Sequence, residues 1–177
     1  MSETERIKNI VITGLFAAII CVLSIFPLPF NIMGVPATLQ TFAVGLTGYV
    51  LGEKKGTMAT FIYILLGAVG IPVFNGGKGG IGVIFNITGG FIYGFLILAF
   101  MCGMAYKTKK IILKIIYSLA GLVVCHLCGI IQFSFITGND FIKSMLLVTV
   151  PYLAKDIITL LAAYFVAAAI RKSKIIN

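Results

Sequence analysis

The sequence predicts an all-α integral membrane protein with six transmembrane helices. Three observations carry this prediction: an apolar composition, about six apolar segments of helix length, and basic residues grouped between those segments. Of the 177 residues, 60% are hydrophobic and 11% are charged, and the mean hydropathy is +1.12. A soluble domain usually has about 25% charged residues, so the charges here are too few to cover a water-facing surface. At about 20 residues per span, the chain forms one domain (1–177) without room for a separate ATPase domain.

Breaks in the apolar sequence mark the expected ends of the helices. Prolines, Asn31 and Gly34 interrupt the chain after the first segment, and GEKKG (52–56) forms a hinge between the second and third. The second segment is short for a full span, so the broken stretch before it is expected to fold back into the bilayer. Pro72 ends the third segment and Pro151 interrupts the sixth. The expected spans are about 7–26, 37–51, 57–71, 83–106, 111–134 and 144–170.

The basic residues predict the orientation of the helices. With six spans, 11 of the 14 lysines and arginines fall on the side of the two termini. By the positive-inside rule, both termini are therefore expected in the cytoplasm. The basic residues on the inner side are Arg6, Lys8, Lys54, Lys55, Lys107, Lys109, Lys110, Lys114, Arg171, Lys172 and Lys174.

Irregular backbone collects on the opposite, outward side, at 27–36, 75–82 and 135–143. Such backbone is tolerated at membrane depth only where it is buried in protein or lines a cavity. An outward-facing ligand pocket covered by loops is therefore expected. The loop sequence GKGGIG (77–82) matches a dinucleotide-binding motif, but it lies between membrane spans and lacks the required strand and helix in water. It is expected to act as a flexible lid, with a plain connection as the alternative.

Three residues, His126, Lys155 and Asp156, are expected to place ionisable groups inside the membrane, where such groups are costly and usually functional. Asp156, near the outer end of the sixth helix, is expected either to contact a ligand or to cap helix amides. Lys155 either reaches the membrane surface or pairs with an anionic group; as neighbours on one helix, Lys155 and Asp156 are not expected to pair with each other. For His126, a hydrogen bond between helices is favoured over a proton relay.

Other polar and aromatic side chains fall near the same outer ends. Pockets for small ligands combine apolar walls with a few placed polar groups, and these residues could form one, although packing or lipid contact is the alternative for any single aromatic. The candidate ligand-binding residues are Gln40, Asn75, Lys78, Asn86, Tyr93 and Asp156.

Catalytic and metal-binding patterns are missing from the sequence. The chain has one histidine, no phosphate-binding P-loop and no arrangement of Ser, His and Asp for nucleophilic catalysis. Its four cysteines fall in apolar segments and are expected to be small buried residues. We therefore expect neither an enzyme nor a metal site nor a cofactor. Gly14 and Ala18, four residues apart, allow close helix approach, either within the bundle or to a partner subunit.

Five segments resemble, in order, the biotin-specific substrate-binding subunits of energy-coupling-factor (ECF) transporters, the BioY family. The similarity runs over roughly residues 10–165. The segments are VPATLQ (35–40), YVLGEKKG (49–56), GAVGIPVF (67–74), TGGFIYG (88–94) and PYLAKD (151–156).

The resemblance implies a high-affinity biotin-binding subunit in the plasma membrane of a prokaryotic cell. It also implies a transmembrane coupling protein and two ATPase subunits as partners. It also favours Gly14 and Ala18 as a docking surface for the coupling protein. Ile87 stands where the family pattern has a proline, and Thr159 stands where it has a lysine. Because that lysine is absent, Lys78 or Lys155 is expected to meet the ligand carboxylate. The alternatives are another vitamin as ligand, or a small-molecule carrier that works without the coupling module.

Overall fold

The computed structural model describes residues 2–32 and 35–173, with the backbone alone at 30–32 and 36. Gly34 and Lys174, used above, lie outside the described residues. Helices make up most of the described chain, and one two-stranded hairpin joins the first two. In chain order the elements are α1 (Glu3–Ile25), β1 (Pro27–Ile32), β2 (Val35–Thr38), α2 (Gln40–Ala68), a 3-10 turn (Asn75–Gly77), α3 (Ile81–Ile84), α4 (Gly89–Lys107), α5 (Ile111–Thr137), α6 (Phe141–Val148) and α7 (Val150–Lys172).

Among the described residues, four helices, α1, α4, α5 and α7, are long and apolar enough to cross a membrane. The sixth expected segment is divided between α6 and α7, which meet at Thr149. Pro151 stands in the first turn of α7, where a missing backbone N–H costs little. The proline therefore starts a helix instead of interrupting one.

Helix α2 consists of two antiparallel limbs, 40–51 and 53–68, which reverse direction at Gly52. Gly52 has φ 80° and ψ 175°, a backbone conformation essentially restricted to glycine. A Cβ atom added at Gly56 would lie 2.9 Å from Gly48 Cα, although a straight helix would separate these residues by about 12 Å. The reversal lies within the hinge expected at 52–56. The limbs are about 18 and 24 Å long, shorter than the ~30 Å hydrocarbon core of a bilayer.

We expect Gly52→Ala to lower the free energy of unfolding by about 1–3 kcal/mol, because alanine is strained in this conformation. Space is not the obstacle, since the nearest atom to an added Cβ is Tyr106 Cδ1 at 3.7 Å. Gly14→Ala is the matched control: a Cβ there meets nothing within 4 Å, and alanine favours a helix interior. Thermal unfolding in detergent measures both variants. Equal stability would contradict a reversal that depends on Gly52.

Glycines let helix α4 pack tightly between α2 and α5. A Cβ atom at Gly48 of α2 would lie 2.5 Å from the carbonyl oxygen of Ala99 in α4. On the other side of α4, a Cβ atom at Gly90 would lie 2.1 Å from the carbonyl oxygen of Cys128 in α5. Neither site has room for a methyl group, so α4 is held at the centre of the bundle by contacts close to backbone distance.

An ion pair joins the turn of α2 to the end of α4. Lys107 Nζ donates a hydrogen bond to Glu53 Oε1, and the Glu53 side chain is nearly buried. This hydrogen bond lowers the pKa of the Glu53 carboxyl below its ordinary value of 4.5. Glu53 is therefore ionised at neutral pH, and the ion pair fixes the α2 turn against α4.

The all-α fold class is confirmed, and the hairpin β1–β2 occupies the proline-rich stretch where the sequence predicted non-helical backbone. Pro27 pairs with Thr38 and Ile32 with Val35 in an antiparallel register. The prolines that exclude a helix here are compatible with a two-stranded ribbon, because both strands are edge strands. The hairpin carries the chain from the end of α1 to the start of α2, and its second strand borders the cavity described next.

Candidate functional site

A cavity of about 170 Å³ lies at the end of the bundle where α2, α4 and α7 begin. The hairpin and the glycine-rich loop adjoin the same space, and α5 contributes one wall. Its aliphatic and aromatic walls carry a few polar groups, as in binding sites for small organic ligands. The residues that line it are Val35, Thr38, Gln40, Thr41, Phe74, Asn75, Lys78, Val83, Asn86, Ile87, Thr88, Phe91, Ile92, Phe95, Leu122, Cys125, His126, Val148, Tyr152, Lys155 and Asp156.

Asp156 is the centre of a buried polar network in the cavity wall. Thr41 Oγ1 donates to Asp156 Oδ1 over 2.6 Å, and Lys155 Nζ lies 2.5 Å from the same oxygen. His126 Nε2 lies 3.2 Å from Asp156 Oδ2. The Asp156 side chain is only 8% exposed. These three partners come from α2, α5 and α7, so the carboxylate holds three helices together at the cavity.

The contact between Lys155 and Asp156 shows that one expectation was wrong. Neighbouring residues leave a helix about 100° apart, which argued against a pair. The long lysine side chain bends across the helix surface, and its ammonium group also donates to the carbonyl oxygen of Thr38 over 3.0 Å. Lys155 is thus directed into the cavity wall by two acceptors, one on its own helix and one on β2.

Gln40 is fixed at the start of α2 by hydrogen bonds on both sides of its amide. Thr38 Oγ1 donates to Gln40 Oε1 over 2.9 Å, and Gln40 Nε2 donates to Tyr63 Oη over 2.7 Å. Tyr63 belongs to the second limb of α2, so the amide links the two limbs. The predicted site residue therefore lines the cavity as part of its scaffold.

Three further candidates, Asn75, Lys78 and Asn86, line the cavity from the glycine-rich loop and the segment after it. The Oδ1 atom of Asn75 is buried and, within the part of the chain that the structure describes, has no hydrogen-bond partner. Lys78 is exposed. The side-chain oxygen of Asn86 accepts from the Ile87 N–H over 2.7 Å. Asn75 thus presents an unused acceptor, which a buried site normally satisfies.

Phe74 anchors the glycine-rich loop to the end of α2. Its side chain is 1% exposed, and its ring lies 5.5 Å from that of Tyr63 in an edge-to-face arrangement. A Cβ atom at Gly67 would lie 2.1 Å from Phe74 Cζ, so the ring occupies the space above this glycine. Gly80 N donates to the carbonyl oxygen of Gly67 over 2.7 Å. The loop is a folded cover on the cavity, anchored at Phe74.

Thr41 and His126 line the cavity but were not among the site residues that the sequence predicted. His126 lines the cavity, its ring contacts that of Phe91 at 5.6 Å, and its Nδ1 atom is buried without a partner among the described residues. The predicted interhelical hydrogen bond of His126 is present. The sequence does contain a signal for His126 as a site residue, because it is the one histidine in the chain and lies in an apolar segment.

The structure does not bring Tyr93 to the cavity. Tyr93 is 40% exposed on the outer surface of α4 and is not among the lining residues, whereas its neighbour Ile92 is.

Gly14 and Ala18 are both exposed on α1, and the space beside Gly14 is open. This face of α1 is therefore not used for packing within the bundle. All four cysteines are free thiols; Cys21, Cys102 and Cys125 are buried, as expected, whereas Cys128 is half-buried.

This geometry suits the binding of a small amphipathic molecule. The cavity presents hydrogen-bond acceptors and donors within one largely apolar space, and its Gln40, Lys155 and Asp156 side chains are held by neighbouring groups. Within residues 2–32 and 35–173, no group of three or more His, Cys, Asp or Glu residues is placed to hold a metal ion.

Comparisons with known proteins identify the family. The BioY family matches residues 1–175. The "Biotin transporter BioY" of Thermotoga maritima is 36% identical over 95% of this chain and 98% of its own length. The "Biotin transporter BioY2" of Lactococcus lactis subsp. cremoris is also 36% identical, over 96% and 93%.

A solved structure shares the fold. The S-component for biotin from an ECF-type ABC transporter superposes with a TM-score of 0.87, at 24% identity over 97% of this chain and 95% of that one. Family match, relatives and fold agree over nearly the whole length, as the resemblance of the five sequence segments implied. The chain belongs to the BioY family.

Proposed function

We propose that this multi-pass membrane protein is the biotin-binding S component of an ECF transporter. It captures biotin at the outer face and delivers it for ATP-driven uptake by a coupling protein and two ATPase subunits. The single observation that carries the proposal is the cavity built around Asp156, in a chain whose relatives are named biotin transporters. The protein is a binding subunit and not an enzyme.

The chemistry of biotin matches the walls of the cavity. Its ureido ring offers two N–H donors and one carbonyl acceptor, and its thiolane ring and valeryl chain are apolar. Asp156 and the unused Oδ1 atom of Asn75 are acceptors for the N–H groups. Lys155 is the donor for the ureido carbonyl, through the ammonium proton that Asp156 and Thr38 leave free. Phe74, Phe91 and Phe95 supply apolar surface.

The carboxylate of biotin is proposed to meet Lys78. Lys155, the other candidate, already donates to Asp156 and to the carbonyl oxygen of Thr38. Thr159 stands where the family has a lysine; it donates to the carbonyl oxygen of Asp156 and does not line the cavity. Lys78 is exposed at the loop side of the cavity, where the valeryl chain would emerge.

We expect Lys78→Ala to weaken binding of biotin about five- to twentyfold and to change binding of biotin methyl ester less than twofold, because the ester lacks the charge that Lys78 attracts. Titration calorimetry with both ligands measures the difference. Lys143→Ala is the matched control, since this exposed lysine lies at the start of α6 and does not line the cavity. Equal losses for acid and ester would assign the carboxylate to another group.

The proposed topology has six spans, with the two limbs of α2 as the second and third. Both termini lie in the cytoplasm, because the basic residues are concentrated on that side. Gly14 and Ala18 form the proposed docking surface for the coupling protein: both are exposed, and small residues allow a partner helix to approach closely. Energy comes from the partner ATPase subunits, and biotin is carried as substrate without a cofactor.

Titration calorimetry of the purified, detergent-solubilised protein tests the proposal. Biotin should bind one to one, with thiamine and riboflavin showing no heat of binding. Binding of another vitamin in preference to biotin would mean that the same scaffold serves a different ligand. ATP-independent uptake by the reconstituted chain alone would instead favour an autonomous carrier.

A further inference from the structure

A second cavity, of about 120 Å³, lies at the opposite end of the bundle from the proposed biotin site. It is formed where α1 begins, where α2 reverses direction, and where α4 and α7 end. We call it the basic cavity. The residues that line it are Lys8, Asn9, Ile12, Val50, Leu51, Lys55, Tyr106 and Arg171.

Three cations from three helices face the basic cavity, and no carboxylate is among its described lining residues. Lys8 comes from α1, Lys55 from the second limb of α2, and Arg171 from the last turn of α7. The nearest acidic residue along α2, Glu53, is bonded to Lys107 outside the cavity. The cavity therefore carries uncompensated positive charge, which an anion would neutralise.

Two of the three charged side chains, Lys55 and Arg171, are held in place. Lys55 Nζ donates to Asn9 Oδ1 over 2.7 Å. The Arg171 guanidinium lies 4.8 Å from the centroid of the Tyr106 ring, and Arg171 Nε donates to the carbonyl oxygen of Ala167 over 3.3 Å. Fixing these long side chains in advance lowers the entropy lost when an anion binds. An arginine and two lysines match the donors that phosphate groups require.

We propose that the basic cavity binds the phosphodiester headgroup of an anionic phospholipid. Basic pockets between transmembrane helices on the cytoplasmic side bind such headgroups, and the orientation proposed above places this end of the bundle there. Ile7 and Val11 of α1 are exposed beside Lys8 and offer apolar surface for an acyl chain. The proposal concerns a site distinct from the biotin cavity and does not depend on the identity of the vitamin.

The test measures lipid binding to the purified full chain by native mass spectrometry and thermal unfolding. Phosphatidylglycerol, phosphatidylcholine and soluble glycerol 3-phosphate are added separately. We expect phosphatidylglycerol to bind at least fivefold more tightly than phosphatidylcholine and to raise the unfolding temperature. The Lys55→Gln/Arg171→Gln variant should lose this preference. Lys109→Gln/Lys110→Gln, which removes the same charge from exposed positions outside the cavity, should retain it.

Two outcomes would overturn the proposal. One is an equal loss of preference in the cavity variant and in the control. The preference for phosphatidylglycerol would then depend on net charge and not on the basic cavity. The other is a stabilisation by glycerol 3-phosphate equal to that by phosphatidylglycerol. The site would then bind a soluble anion and not a lipid. If the double variant fails to fold, as judged by circular dichroism, Lys8→Gln serves instead, because Lys8 is exposed and its loss leaves no buried group unpaired. Its preference should fall at least twofold, and no change would overturn the site.

Discussion

Asp156→Asn is expected to weaken biotin binding at least tenfold, because the carboxylate is the centre of the polar network in the proposed site. The carboxylate accepts from Thr41 and lies within hydrogen-bond distance of Lys155 and His126. An amide has one acceptor oxygen and one donor nitrogen, so it satisfies part of this network and turns a donor toward another donor. Stranding a buried hydrogen-bonding group costs about 1–3 kcal/mol, and tenfold in affinity corresponds to about 1.4 kcal/mol.

The expected loss of affinity must be separated from a loss of structure. Asparagine has nearly the volume of aspartate, so packing within α7 is retained, and Lys155 is long enough to rotate toward the cavity opening. Asp140→Asn is the matched control: it removes the same charge from an exposed helix cap, where asparagine also caps well. Calorimetry gives the affinity and thermal unfolding the stability of each variant. Unchanged affinity in folded Asp156→Asn protein would remove Asp156 from the site.

The sequence allowed the position of Asp156 to be predicted, because an acidic residue near a helix end in an apolar segment is costly unless it has a partner. The hinge in α2 was predictable for a similar reason: glycines flank charged residues at 52–56, where an apolar span must end. Both predictions depend on local chemistry that a single sequence displays. The structure adds the conformation at Gly52 that folds the two limbs together.

Two kinds of feature could not be predicted in the same way: how far a long side chain reaches, and which face of a helix is buried. Lys155 reaches Asp156 because four methylene groups can cross the helix surface, which the direction of the Cβ atoms does not reveal. Tyr93 and Ile92 are adjacent in an apolar helix, and only packing shows that Ile92 faces the cavity. When lipid and protein are both apolar, hydrophobic periodicity does not distinguish the inner face of a helix from the outer one.

Gly67→Ala is expected to lower the free energy of unfolding by about 1–3 kcal/mol, the usual cost of overpacking, and to weaken biotin binding mainly through faster dissociation. An added methyl group would overlap the ring of Phe74, whose atoms lie 2.1–2.5 Å from the Cβ position. The ring must then leave Tyr63, and the loop that covers the cavity loses its anchor. Phe74→Ala should release the same loop and cost about 3–5 kcal/mol, because it empties a fully buried aromatic site.

A double-mutant cycle distinguishes this explanation from independent damage at two sites. In the Phe74→Ala background the ring is absent, so the Gly67→Ala methyl group enters free space and alanine's preference for helices is recovered. The second substitution should then be neutral or stabilising, which gives a coupling free energy of about 1–3 kcal/mol. Thermal unfolding and stopped-flow dissociation of biotin measure stability and release in all four proteins. Additive losses would mean that Gly67 is required for a reason other than the space it leaves for Phe74.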